Sequence, residues 1–184
     1  HGGDEMATYL QNNLAHVYKQ NLLLNKGNII KSLKNTFIDV DEEMKNILNI
    51  EGLGSTGTLV HIIWESPDDL VVYCANVGDS RLTLISPEHI IRLSYDHRVT
   101  DEKERKRITE AGAKIIDDRL NGSLMLTRIF GNYELKNEKC ENEEEVQEII
   151  INNNDSQQIC STIIKTCLRK EAWDNLSVFA IKLT

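Results

Sequence analysis

The chain has 184 residues, which is enough for one domain with a sizeable core and too few for two domains of comfortable size. A composition of 40% hydrophobic and 27% charged residues is typical of soluble globular proteins, and no apolar run reaches the length of a membrane span. The formal net charge of −8 disfavours a nucleic-acid partner, and any phosphate site would have to be made locally, by metal ions or a few cations.

Two amphipathic helices are predicted at the beginning of the chain. Asp4 can cap the first helix, and apolar residues follow it at helical spacing: Met6, Leu10, Leu14 and Val17. The second helix is longer and ends at the loop 51–54. Its apolar face carries Ile30, Leu33, Phe37, Val40, Met44 and Ile47.

Short apolar segments separated by turn residues predict a β-meander over residues 58–93. Its strands are 58–64, 70–77, 81–85 and 89–93, with turns at 66–69, 78–79 and 87–88. The continuous run Leu59–Ile63 is typical of a strand that is covered on both faces. The pattern therefore favours a sheet inside a layered sandwich.

The region after the meander is predicted to contain a helix and a hairpin. Thr100 can cap a helix that has two acidic residues in its first turn and ends at Gly112. The pair Asn121-Gly122 predicts a hairpin turn between strands 114–119 and 123–128.

The last third of the chain is expected to be mainly helical. A short acidic helix is predicted from Asn142, with Glu143–Glu145 as its solvated start, followed by a loop at 152–155. Another helix is predicted from Ser156, and a final strand over about 176–183. The four cysteines contain no CxxC pair, which suggests buried thiols in a reducing compartment, so we expect a cytoplasmic or nuclear protein.

One turn of the meander holds an acidic side chain at a defined position. In the run Ala75–Arg81, Gly78 supplies the backbone freedom of a tight turn between two strands, so Asp79 is held at a strand end. A carboxylate fixed there is either a turn residue, a common role for aspartate, or a metal ligand. The residues of the turn alone leave both roles open.

Seven short motifs follow one another along the chain. They are His1–Asp4, Gly54–Gly57, Ala75–Arg81, Ser94–His97, Arg107–Gly112, Gly122–Asn132 and Trp173–Val178. In this order and at these spacings they resemble the type 2C family of metal-dependent serine/threonine protein phosphatases, over nearly the whole chain. The resemblance implies an α+β fold, a four-layer α-β-β-α sandwich with two mainly antiparallel sheets flanked by helix pairs.

The resemblance also implies a chemistry and a set of site residues. In this family two divalent cations, Mg²⁺ or Mn²⁺, activate a water that hydrolyses phosphoserine or phosphothreonine in proteins. Asp174 resembles a ligand of this core, with a loop aspartate as the alternative, and Asp79 resembles a ligand of a third, weaker ion. His1 matches the histidine expected to act as the catalytic general acid. No organic cofactor site is indicated.

Other residues of the motifs are expected to have structural roles. Those expected to hold loops and strand ends near the site are Ser55, Thr56, Asp96, His97 and Arg128. Arg81 and Glu110 are expected to pair with neighbouring charges, and an exposed pair of this kind contributes little to stability.

The chain departs from the family pattern at its start and near residues 133–141. The family has a metal-binding aspartate two residues before the histidine, and this chain begins at His1. A strand that ends in a second metal-binding aspartate is expected after Asn132, which itself replaces an aspartate, but only residues 133–141 intervene. Residues 1–184 therefore read as a single phosphatase-like domain that lacks N-terminal strands and an internal segment, and that by itself would be inactive.

These departures leave three hypotheses. The first is a working phosphatase with further segments, favoured because His1 stands within a motif and because loss of a core strand would leave an unpaired sheet edge. The second is an inactive phosphatase-like domain that binds a protein partner or acts as a regulator, which Asn132 slightly favours. The third is a structural domain without metal. Under the first, we expect phosphorylated protein substrates, a role in signalling and a monomer, whereas the individual substrate depends on surface loops.

Overall fold

The computed structural model describes residues 4–47, 52–67, 69–85, 90–136 and 145–152, the last of these through its backbone alone. The helices are α1 (Glu5–Leu24), α2 (Ile29–Ile47) and α3 (Glu102–Glu110). The strands are β1 (Gly54–Ser55), β2 (Gly57–Trp64), β3 (Asp69–Val77), β4 (Thr83–Ile85), β5 (Ile90–Arg92), β6 (Ile115–Ile116), β7 (Arg119–Leu120), β8 (Phe130–Gly131) and β9 (Glu145–Asn152). Every described strand pair is antiparallel.

Helices α1 and α2 pack as a pair whose buried faces agree with the predicted periodicity. The buried side chains of α1 include Met6, Leu10, Leu14 and Val17, and those of α2 include Leu33, Phe37, Val40 and Met44. A buried amide also joins the helices, because Asn21 Nδ2 donates to Asp39 Oδ2 at 2.7 Å. Among the described helices, none combines the length and apolar character that a membrane crossing requires.

Three details of the predicted helix pair were wrong. Asp4 precedes α1, but its backbone (φ −104°, ψ 3°) is not extended, and its side chain makes no capping hydrogen bond. Ile30 and Ile47 are 41% and 65% exposed, because they lie in the first turn and at the last residue of α2, beyond the buried middle of the helix.

The central sheet has the strand order β2-β3-β9. Strand β3 is buried from Leu70 to Val77. Its alternate residues Val71, Tyr73, Ala75 and Val77 join the core formed with α1 and α2. On its other face, Leu70, Val72 and Cys74 pack with the buried Leu93. The partly buried Leu82 and Leu84 pack against this cluster. Both faces of β3 are therefore covered. The run for which this was predicted, Leu59–Ile63 in β2, is covered only in part: Leu59 and Ile63 pack against the helix-side core, and Val60 and Ile62 pack against the opposite cluster.

Strand β9 contradicts the acidic helix predicted from Asn142. Residues 145–152 pair with β3 along its whole length, from Asp69↔Asn152 to Asn76↔Glu145. The physical reason is the β-branched run Ile149–Ile151 together with the free hydrogen-bonding edge of β3. Within the described residues, this edge of β3 is paired with β9. The helix and strand predicted over 156–183 lie outside the described residues.

Helix α3 forms where predicted, but Asp101 and not Thr100 is its cap. The Asp101 backbone is extended, and its Oδ1 accepts hydrogen bonds from the backbone N–H groups of Lys103 (2.9 Å) and Glu104 (3.1 Å). A carboxylate at this position also interacts favourably with the helix dipole. Gly112 follows the helix with φ +87°, as expected of a residue after a helix end.

The predicted hairpin is divided between two adjacent turns. Asn121-Gly122 does form a turn with positive φ angles, and Leu120 and Leu124 bridge across it. However, β6 and β7 pair around Asp117-Asp118, which also have positive φ. Aspartate tolerates the left-handed region, so two neighbouring turn signals compete and both form.

Candidate functional site

The turn after β3, Gly78-Asp79, has the tight geometry that the sequence predicted. Gly78 has φ +97°, and a Cβ atom on it would lie closer than 3.0 Å to the side chain of Thr56. Only glycine fits both conditions without strain. The chain therefore holds the half-buried carboxylate of Asp79 at the end of the central sheet.

His97 holds this turn from the opposite side. Its ring Nδ1 accepts a hydrogen bond from the Gly78 N–H (3.1 Å), and its own backbone N–H donates to the Gly78 carbonyl (3.1 Å). The Asn76 amide donates to the same carbonyl and to that of Tyr95. His97 is fully buried. Its structural role agrees with the expectation from the sequence.

Arginine side chains surround the two aspartates of this region. Asp79 Oδ2 accepts from Nε (3.1 Å) and Nη2 (2.6 Å) of Arg98. Asp96 accepts hydrogen bonds from both Nε and Nη2 of Arg81, as expected for a structural aspartate, and a further bond from Arg92. The hydrogen bonds from Arg81 hold the pKa of Asp96 below its usual value against the opposing effect of burial, and the charges of all three arginines add to this.

The described residues do not by themselves form a metal site. In this part of the chain, no three histidine, cysteine, aspartate or glutamate side chains converge in a way that could hold a metal ion. One oxygen of Asp79 is engaged by Arg98, and a single carboxylate does not bind a hard divalent cation tightly. The two other predicted site residues, His1 and Asp174, lie outside the described residues.

The start of helix α1 lies against strand β8. Gly131 has φ +75°, and a Cβ atom on it would come closer than 3.0 Å to the Met6 side chain and the Leu53 carbonyl. Gly131 also pairs with Gly54 of β1. The beginning of α1, a few residues after His1, is therefore next to β1.

The residue that follows strand β1 contacts the Gly78-Asp79 turn. Thr56, the next residue after β1, packs against Gly78, and its hydroxyl is 2.6 Å from that of Ser80. The start of α1 and the Gly78-Asp79 turn thus flank the same three residues, 54–56. Motifs that are far apart in the sequence meet at this end of the central sheet.

A buried carboxylate that the sequence reasoning missed supports this arrangement. Glu104 of α3 accepts hydrogen bonds from Thr127 Oγ1 (2.5 Å), Arg128 Nε (3.0 Å) and Arg107 Nη2 (2.9 Å). The Thr127 N–H donates to the His97 carbonyl (2.9 Å), so α3 is connected to the loop that holds the turn. Burial raises the pKa of Glu104, but the hydrogen bonds from the two arginines and the threonine outweigh it and keep this pKa far below its usual value.

The sequence contains a weak signal that Glu104 is a buried, paired carboxylate. Glu104 stands four residues before the buried Ile108, on the same face of the helix. Charged residues are seldom fully buried unless they are paired, so an inward-facing glutamate predicts a partner, although not its identity.

A second missed group joins helix α2 to the segment after β8. Asp41 Oδ1 accepts from the Gly131 N–H (2.8 Å), and Oδ2 pairs with Lys136 Nζ (2.6 Å). The Tyr133 hydroxyl donates to the Asp41 carbonyl (2.6 Å). Between these contacts, Asn132 adopts a left-handed conformation (φ +47°), which asparagine tolerates better than most residues. The loop at Asn132 is therefore firmly attached to the helix pair.

The family model of protein phosphatase 2C matches residues 1–175 of this chain. Protein phosphatase 2C homolog 3 of Schizosaccharomyces pombe is 34% identical over 148 residues, 79% of this chain and 34% of that protein. Protein phosphatase 2C homolog 1 of Saccharomyces cerevisiae is 33% identical, over 72% of this chain and 51% of that protein. Human protein phosphatase 1B is 24% identical over 234 aligned positions, which cover 98% of this chain and 48% of that protein. The chain spans between about a third and a half of these relatives.

Two solved structures share the fold. A C. elegans sex-determining protein superimposes with a TM-score of 0.62 at 23% identity, over 82% of this chain and 38% of that one. A phosphatase from Toxoplasma gondii gives a TM-score of 0.60 at 17% identity, over 83% of this chain and 57% of that one. These similarities confirm the predicted α+β fold. Because the family model extends over almost the whole sequence, the chain belongs to the protein phosphatase 2C family.

Proposed function

We propose that the protein containing this chain hydrolyses phosphoserine and phosphothreonine in other proteins, in a metal-dependent reaction. The observation that supports this function is the meeting of distant family motifs at one end of the central sheet, around Thr56, Gly78 and His97. The family match over residues 1–175 supports protein dephosphorylation as the reaction that this arrangement serves. Phosphoproteins are the corresponding substrates.

The roles proposed for individual residues follow the family motifs. When bound, Mg²⁺ or Mn²⁺ supplies an activated water and neutralises charge on the phosphoryl oxygens. Asp174 is proposed as a ligand of a two-ion core and Asp79 as a ligand of a third, weaker ion. His1 is proposed to give a proton to the departing serine or threonine oxygen. Arg98 would have to leave Asp79 Oδ2, or share it, when an ion binds there.

The full protein is also proposed to contain an internal segment near residues 133–141. The alignment with human protein phosphatase 1B supports this, because 234 positions cover only 98% of a 184-residue chain. That alignment must contain many positions at which this chain has no residue. Such a segment would carry a further carboxylate ligand of the metal core, as the family pattern implies.

The test is Mn²⁺-dependent hydrolysis of a phosphothreonine peptide by the full-length protein. Asp174→Asn and Asp79→Asn keep the side-chain shape and remove the charge, and Asp118→Asn is the matched control, since Asp118 is exposed and pairs with Arg105. We expect Asp174→Asn to lower kcat/KM at least about tenfold and to raise the Mn²⁺ concentration needed, with the smaller effect in Asp79→Asn.

Removal of metal by EDTA is expected to abolish hydrolysis in the unaltered protein. Activity that persists both in EDTA and in Asp174→Asn would refute the metal-dependent mechanism. Absence of any hydrolysis by the full-length protein, with Mn²⁺ present, would instead favour the inactive, partner-binding domain.

A further inference from the structure

Three arginine side chains converge beside the Gly78-Asp79 turn; we refer to Arg81, Arg92 and Arg98 as the arginine cluster. Arg81 makes a two-pronged contact with Asp96, through Nε at 3.0 Å and Nη2 at 2.5 Å. Arg92 Nη2 donates to Asp96 Oδ1, the oxygen that Arg81 Nε also contacts. Arg98 pairs with Asp79, and its Nε is also 3.9 Å from Asp96. All three guanidinium groups therefore lie within reach of one carboxylate.

The positive groups of the cluster face solvent and the negative groups lie beneath them. The side chains of Arg81, Arg92 and Arg98 are 59%, 41% and 43% exposed, whereas those of Asp96 and Asp79 are 14% and 27% exposed. Three positive and two negative charges leave a net charge of about +1 in a chain whose overall charge is −8. The outer surface of the cluster is thus locally cationic.

Each arginine of the cluster has more hydrogen-bond donors than its contacts with the described residues use. A guanidinium group has five N–H donors, and these arginines use their Nε and Nη2 atoms for the carboxylates and for the Ser94 carbonyl. Within the described residues, no acceptor contacts the Nη1 atoms of Arg81, Arg92 or Arg98. The two carboxylates fix the arginines in place, so a ligand would bind them with little loss of side-chain freedom.

We propose that the arginine cluster binds a second phosphorylated residue of the protein substrate, close in sequence to the residue that is hydrolysed. A phosphate dianion has three terminal oxygens and can accept from several arginines at once, whereas a carboxylate offers two. The acidic chain repels phosphopeptides at long range, so their attraction depends on a local patch of this kind. The proposal rests on the proposed function, because it assigns the second phosphate to a substrate of that site.

The first experiment measures binding without hydrolysis. The full-length protein in Mn²⁺ is titrated into fluorescently labelled peptides that carry non-hydrolysable phosphonate analogues of phosphothreonine. The peptides carry one analogue, two analogues two to six residues apart, or one analogue and a glutamate at the second position. We expect the best doubly phosphorylated peptide to bind about fivefold or more tightly than the singly phosphorylated one. We expect this advantage to fall as the salt concentration rises.

Variants of Arg92 connect this advantage to the cluster. Arg92→Ala is expected to remove most of the binding advantage of the doubly phosphorylated peptide. Arg92→Lys keeps the charge but lacks the planar guanidinium donors, so it should retain only part of that advantage. The matched control is Arg105→Ala, because Arg105 is 48% exposed and pairs with Asp118 at 3.0 Å, outside the cluster. This control should keep the full advantage. Thermal melting of each variant confirms that it is folded.

Three results would overturn the proposal. The first is equal affinity for the singly and doubly phosphorylated peptides. The second is an equal loss of the doubly phosphorylated peptide's advantage in Arg92→Ala and Arg105→Ala. The third is a glutamate peptide that binds as tightly as the doubly phosphorylated one. The last result would mean that the cluster recognises acidic side chains in general. Hydrolysis of the singly phosphorylated peptide in Mn²⁺ is measured separately, so failure of the proposed function and failure of this proposal remain distinguishable.

Discussion

Replacement of Glu104 by glutamine tests the buried carboxylate that connects helix α3 to the candidate site. Glu104 is 6% exposed and accepts hydrogen bonds from Thr127, Arg128 and Arg107. Glutamine has the same shape, but it removes the negative charge and turns one acceptor into a donor that faces other donors. The variant therefore removes the negative charge that pairs with the buried guanidinium group of Arg128.

The expected loss in the free energy of unfolding of Glu104→Gln is large. Removal of one partner from a buried ion pair costs about 3–5 kcal/mol, and the retained amide oxygen places this variant near the lower limit, about 3 kcal/mol. For a chain of this length, such a loss lowers the melting temperature by about 6–12 °C. Glu110→Gln is the matched control on the same helix, because Glu110 is exposed and lies 3.9 Å from Lys106. The control should change stability by less than about 0.5 kcal/mol.

The contribution of Glu104 to folding stability should decrease at low pH. Since the folded state depresses the pKa of Glu104, its contribution is fully present above the pKa of an unfolded glutamate, about 4.3, and is lost as the pH falls toward the folded-state value. The difference between the unaltered protein and Glu104→Gln should thus be constant from about pH 7 to pH 5 and narrow below about pH 4.

Urea unfolding followed by circular dichroism, at several pH values, measures the free energy of unfolding for the three proteins. A loss below about 1 kcal/mol in Glu104→Gln at pH 7 would refute the assigned buried pair. So would a difference that is the same at pH 3 as at pH 7, since it could not then come from the ionised carboxylate.

Three further predictions concern stability, each measured by thermal or urea unfolding. Gly78→Ala should cost about 1–3 kcal/mol more than Gly112→Ala, because both glycines have positive φ but only a Cβ at Gly78 would meet another side chain, that of Thr56; equal losses would contradict this. Tyr18→Phe should leave stability unchanged or raise it by up to about 1 kcal/mol, since the buried Tyr18 hydroxyl has no partner among the described residues; a loss above about 1 kcal/mol would reveal one. Lys136→Met should cost about 1–3 kcal/mol by leaving its half-buried carboxylate partner on α2 uncompensated, and a neutral result would mean that the pair is effectively solvated.

Local patterns predicted most of the described elements correctly. The helical spacing of Met6, Leu10, Leu14 and Val17 and the apolar runs of β2 and β3 depend on the period of each element, which a few neighbouring residues determine. The turn at Gly78 was likewise predictable, because it requires a residue that accepts positive φ. The order of the motifs led to the family, while two of the three predicted site residues, His1 and Asp174, lie outside the described residues.

For most of the described segments, the sequence by itself determined whether the chain is helical, extended or sharply turned, since these properties depend largely on neighbours along the chain. Only the tertiary structure decided which groups meet across it. Residues 145–152 became a strand because the edge of β3 offered backbone partners that no local pattern reveals. Asp79 acquired Arg98, and Glu104 acquired Arg128, from 19 and 24 residues away. Charges find their partners through the packing of the whole chain, and no periodicity in the sequence records that choice.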